Sequence, residues 1–110
     1  EELPTLELPN LSPGTYRAFE IQGESMLPIR SGDLVVGQYV EKAEELTDYR
    51  RYILLTRSEG IVFKRILRQP GNPRYITLLS DNTDYTPYSI EISEILEAWR
   101  YVLHVQQEER

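Results

Sequence analysis

Hydrophobic positions along this chain recur mostly every second residue and seldom at the spacing of a helix face. Tyr16 to Gln22 is rich in aromatic and branched residues and stops at Gly23. Asp33 to Val40 carries Leu34, Val35 and Val36 behind Ser31-Gly32, and both runs predict strands. Arg51 to Arg57 and Glu59 to Leu67 are two further strand-like runs parted by Ser58, with Glu59-Gly60 beside it, the pattern of a tight hairpin. Gln69-Pro70-Gly71-Asn72-Pro73 is a strong turn signal, after which Arg74 to Leu79 predicts the returning strand. Glu41 to Asp48 alone has helical composition, and it is too short for more than a turn or two. In the tail, Trp99, Tyr101, Leu103 and Val105 alternate with Arg100, Val102 and His104, which favours a turn near Ser93 followed by a strand over a helix through Glu91 to Val105. The expected architecture is mainly β, built of bent antiparallel ribbons with at most short helical turns.

The opening fourteen residues contain three prolines, which fix their own backbone and push the preceding residues away from helix. Residues 1–14 therefore read as an extended linker remnant of a longer protein, 15–110 as one domain, and Gln106 to Arg110 as a frayed end. A single domain of 110 residues buries roughly 65% of its unfolded surface and needs no staples. Cysteine is absent, so no disulfide framework or thiolate metal site is available, and a cytoplasmic location is the default expectation. Apolar runs are only about three residues long, far short of the roughly 20 that cross a bilayer, so no membrane partner is expected. The net charge of −6 argues against a general nucleic-acid binder, because a phosphate backbone would repel it.

Several polar groupings carry little chemistry. Ser80-Asp81-Asn82 echoes a β-lactamase triplet, but its Ser-x-x-Lys and Lys-Thr-Gly partners are missing, and it reads as a polar turn. His104, the single histidine, reads as a partly exposed packing residue and not as part of a triad. Glu41, Glu44, Glu45 and Asp48 lack the order of a calcium loop and read as a solvated face. Asn10-Leu11-Ser12 has the form of a glycosylation acceptor, without meaning in a cytosolic chain. No metal or cofactor is expected.

Two other segments are more informative. Gly23-Glu24-Ser25-Met26-Leu27-Pro28 follows a strand, where a glycine two residues before a serine permits a sharp turn that holds the hydroxyl outward. In Gly60-Ile61-Val62-Phe63-Lys64-Arg65-Ile66, alternation sets Lys64 on one face with Val62 and Ile66. An ordinary lysine, with a pKa of about 10.4, is neutral in only about one molecule in two thousand at pH 7. Burial disfavours the charged form, so a lysine flanked by branched apolar neighbours is a candidate base for a serine hydroxyl.

Gly-x-Ser-Met-x-Pro, then Gly32-Asp33, then Val62-x-Lys64-Arg65, then Ser80-Asp81-Asn82, in that order, resembles the LexA-type Ser-Lys peptidases: LexA, phage repressors and UmuD. The likeness runs from Tyr16 to about Val105, with serine and lysine 39 positions apart. It implies a β-rich fold of the LexA and signal-peptidase kind, with Ser25 as nucleophile, Lys64 as general base, and the backbone N–H groups of Ser25 and Met26 as oxyanion donors. Gly23, Pro28 and Asp33 support the motif. It further implies a homodimer, self-cleavage of the interdomain linker, DNA binding through an upstream helix-turn-helix domain, and, in the LexA branch, an SOS response in which RecA filaments stimulate cleavage. Relatives cut at Ala-Gly or Cys-Gly, whereas the only glycine before the motif is Gly14, preceded by Pro13. A non-cleaving dimerisation or sensor module is thus an alternative. Signal peptidases share the serine motif and the Lys-Arg strand, but they carry an Arg-containing motif after Asp-Asn that Asp81 to Tyr85 does not supply.

Overall fold

The computed structural model describes residues 13–107. Seven strands form one antiparallel sheet: β1 Tyr16–Glu20, β2 Leu34–Val40, β3 Arg51–Thr56, β4 Gly60–Arg68, β5 Tyr75–Leu79, β6 Tyr88–Glu91 and β7 Ile95–Val105. Their order is β1-β2-β7-β3-β4-β5-β6, so β7 lies inside the sheet, between β2 and β3. The mainly β expectation holds. The stretch after Glu41 makes a single 3-10 turn, Ala43–Glu45, and a second, Ile92–Glu94, precedes β7 near Ser93. β6 is an addition: the sequence pattern predicts no separate strand at Tyr88–Glu91, and these four residues are extended because they pair with β5.

Both faces of the bent sheet carry apolar side chains. One core joins Phe19, Met26, Ile29, Ile53, Phe63 and Trp99, and the other joins Tyr52, Leu54, Ile66, Ile76 and Leu78. Strand pairing explains the division. Ile53 lies opposite both Phe63 and Trp99, whereas Leu54 lies opposite Ala98, and paired residues share a face. Full burial of side chains of this size is worth roughly 1.5–3 kcal/mol each.

The linker expected at 1–14 falls almost wholly outside the described residues, as does Asn10-Leu11-Ser12. At the other end, the backbone N–H of Gln107 donates to Asp33 Oδ1 at 3.0 Å, so this part of the expected frayed end is tied down. Among the described residues, no helix is long and apolar enough to cross a membrane.

Candidate active site

The chain leaves β1, makes a compact loop and returns in β2. Ile21 N–H donates to the Asp33 carbonyl and Gly32 N–H to the Ile21 carbonyl, both at 2.8 Å, closing the base of that loop. Gly23 has φ of +81°, a left-handed conformation that glycine adopts without steric cost. Met26 and Ile29 then fold back into the core, each 2% exposed. Ser25 is held between an exposed Glu24 and that anchored Met26, and it is itself partly buried. Asp33 is a buried clamp, with one carboxylate oxygen accepting from Arg30 N–H at 2.9 Å and the other from Gln107. Pro28 is exposed on the loop's outer side.

Lys64 comes from the middle of β4 and is 8% exposed. It lines the same cavity as Ser25, a space of about 680 Å³ walled by Phe19, Ile21, Phe63 and Tyr88. Two side chains 39 positions apart are thus brought to one apolar pocket. Lys64 Nζ donates to Ser80 Oγ at 2.8 Å and lies 5.5 Å from the centre of the Tyr85 ring. Burial lowers the lysine's pKa, and the nearby negative charge of Glu59 partly opposes it. Glu59 also accepts from Tyr88 Oη at 2.6 Å, and burial followed by that carboxylate pushes the phenol's pKa up.

The segment Ser80-Asp81-Asn82 is the polar turn expected, yet each of its residues braces the site. Ser80 holds Lys64. Asp81 accepts from Arg65 Nε at 2.6 Å and Nη2 at 3.1 Å, and its N–H meets Met26 Sδ at 3.3 Å. Asn82 N–H donates to the Ser25 carbonyl and its side-chain amide to the Glu24 carbonyl, each at 2.9 Å. The contribution of Ser80 escaped sequence reasoning. Its signal lay in the β4–β5 pairing of Arg65 with Leu79, which brings the next residue beside Lys64.

The remaining groupings stay outside the pocket. His104 is exposed and shares a 2.9 Å hydrogen bond with Tyr101 Oη. Glu41, Glu44, Glu45 and Asp48 are exposed, and Asp48 accepts from Arg68 N–H. Among the described residues, no group of three or more His, Cys, Asp or Glu side chains could hold a metal.

Chemically, a hydroxyl and a desolvated amine in one apolar cavity suit nucleophilic attack on a carbonyl, with the amine accepting the proton. Among the described residues, no acceptor is paired with the backbone N–H of Ser25 or Met26. Residues 2–99 match the family model described as Peptidase S24-like. No curated protein matches the chain.

Proposed function

Because the chain belongs to the Peptidase S24-like family, we propose that it is the serine endopeptidase domain of a LexA- or phage-repressor-like regulator, cutting its own interdomain linker with Ser25 and Lys64. The observation that carries this reading is the shared cavity, which the serine and the buried lysine both line. In this reading Ser25 Oγ attacks the scissile carbonyl carbon while neutral Lys64 takes the hydroxyl proton. The negative charge then developing on the carbonyl oxygen meets the N–H groups of Ser25 and Met26. Protonated Lys64 returns its proton to the leaving amine, the C–N bond breaks, and a Ser25 ester remains. Water hydrolyses that ester with Lys64 again as base. Ser80 Oγ, by accepting one N–H of Lys64, orients the amine's lone pair.

The sheet also supports a peptide substrate. Among the described residues, β1 pairs only with β2, and Gly60 to Lys64 of β4 pair only with β3. At Ala18 and Phe19 of β1 and at Ile61 and Val62 of β4, all lining the cavity, each strand is thus paired on one side only, and an extended segment fits between the two open edges as an added strand. Homodimerisation, an upstream DNA-binding domain, a cytoplasmic location and a response to RecA filaments belong to the same proposal, and rest on family likeness.

The test uses the protein with its native upstream segment, incubated across neutral to alkaline pH and followed by mass spectrometry. Linker cleavage should rise with pH as Lys64 deprotonates. Ser25→Ala and Lys64→Ala should each slow it by about 10²-fold or more. Undiminished cleavage by Lys64→Ala would remove the base from the mechanism.

A further inference from the structure

Away from the proposed catalytic cavity, a second and smaller hollow of about 200 Å³ is lined by Arg50, Arg51, Arg65, Arg100 and Tyr101. Four arginines around one hollow are unexpected in a chain of net charge −6. They meet where β3 begins: Arg51 opens β3 directly opposite Arg65 of β4, Arg50 precedes it, and Arg100 of β7, paired with Tyr52, borders the hollow from the other face of the sheet. Among the described residues, Asp81 is the only carboxylate within ion-pair distance of any of the four, on Arg65. The hollow therefore keeps an excess of three positive charges.

Three of these arginines are held in place by their neighbours. The Arg51 guanidinium lies 3.7 Å from the centre of the Tyr101 ring, an arrangement that fixes its plane and leaves its N–H edges outward. Arg65 gives Nε–H and one Nη2–H to Asp81 and one Nη1–H to the Tyr49 carbonyl, which leaves two of its five donors. Arg100 donates to Gln38 Oε1 through Nη2. Tyr49, whose carbonyl accepts from Arg65, has φ of 67°, a left-handed conformation that is costly for a residue with a Cβ. Like charges ordered together, beside a strained turn, are the marks of a site built for a counter-ion.

We propose that this hollow binds a doubly charged phosphate group, either free or as the monoester of a small molecule. One guanidinium saturates a carboxylate through a bidentate pair, whereas several unspent donors from different strands match the three terminal oxygens and double charge of a phosphate monoester. A nucleic-acid backbone is disfavoured. Its singly charged phosphates need an extended basic track, and the remaining surface carries the negative excess.

The experiment titrates the full chain at low ionic strength with inorganic phosphate, with adenosine monophosphate, and with sodium acetate and chloride as controls, reading the arginine Nε–Hε and Tyr101 ring resonances. Phosphate or the monophosphate should give saturable shifts at Arg51 and Arg100, with tighter binding of the nucleotide showing that the group is carried and equal binding showing that it is free. Arg51→Gln and Arg100→Gln should each weaken binding about tenfold, the effect of removing one charge-assisted hydrogen bond, with resonances of β5 and β6 unchanged to report an intact fold. Linear shifts like those with acetate, unaltered affinity in both variants, or saturable binding only to an added duplex oligonucleotide would each overturn the assignment.

Discussion

Lys64 is under two opposed influences: burial favours the neutral amine, while the Glu59 carboxylate favours the ammonium. Burial dominates, so the folded pKa lies below the ordinary one, and a larger neutral fraction is available to accept a proton. Removing the carboxylate removes the opposing influence. Glu59→Gln should therefore move the alkaline rise of the proposed self-cleavage to lower pH, a displacement read from the pH–rate profile, while the glutamine carbonyl can still accept from Tyr88. A profile displaced to higher pH would show that Glu59 serves Lys64 in another way. At this scale Ser25 and Lys64 could be singled out as candidates because each sits in a local pattern, a glycine turn and an alternating strand. Ser80 and the arginine hollow could not, since their hydroxyl and arginine partners come from separate segments of the chain and meet only through strand pairing.

Among the elements, β2 and β7 show how close packing positions the cavity wall. Their pairing shifts register between Val36 and Gly37, at a bulge. A Cβ at Gly37 would lie 2.8 Å from Trp99 Cβ and 2.9 Å from Ile53 Cδ1, both core atoms with little room to retreat. Trp99, Ile53 and Phe63 belong to the same core as Met26, so crowding there reaches the loop that carries Ser25. Gly37→Ala should destabilise the fold by about 1–3 kcal/mol through overpacking, seen as a lower denaturant midpoint by the fluorescence of the single tryptophan. An unchanged midpoint would mean that the two strands can separate at the bulge at no cost. Local pattern made β1 to β5 and β7 readable. β6 was hidden because four residues after a run of turn-forming Asp, Asn, Thr and Pro hold too little alternation, and their extended state comes from β5. The tail's ambiguity between helix and strand was resolved by pairing on both sides, with β2 and β3.

For the whole molecule, the position of β7 between β2 and β3 is the feature least accessible to periodicity, because it depends on which edges remain open after the earlier hairpins have formed. This insertion joins the β1–β2 ribbon, which carries the Ser25 loop, to the β3–β4 hairpin, which carries Lys64. It thereby sets the two walls of the cavity against each other. The proposed substrate segment precedes β1, whose residues Ala18 to Glu20 line the cavity, so the chain that would be cut is tethered to one wall. Tethering replaces an encounter with a local search, and well-oriented intramolecular reactions reach effective concentrations of roughly 10⁵ M and above. A Ser-Lys pair of modest power can then suffice. Self-cleavage should follow first-order kinetics with a rate constant unchanged over about a hundredfold range of protein concentration, whereas exchange of linkers between molecules would make it rise with concentration. A Ser25→Ala protein mixed with the active domain should likewise be cut far more slowly than the active protein cuts itself. Comparable rates in the two arrangements would place the substrate segment on a neighbouring copy, with the cavity then serving as an intermolecular groove.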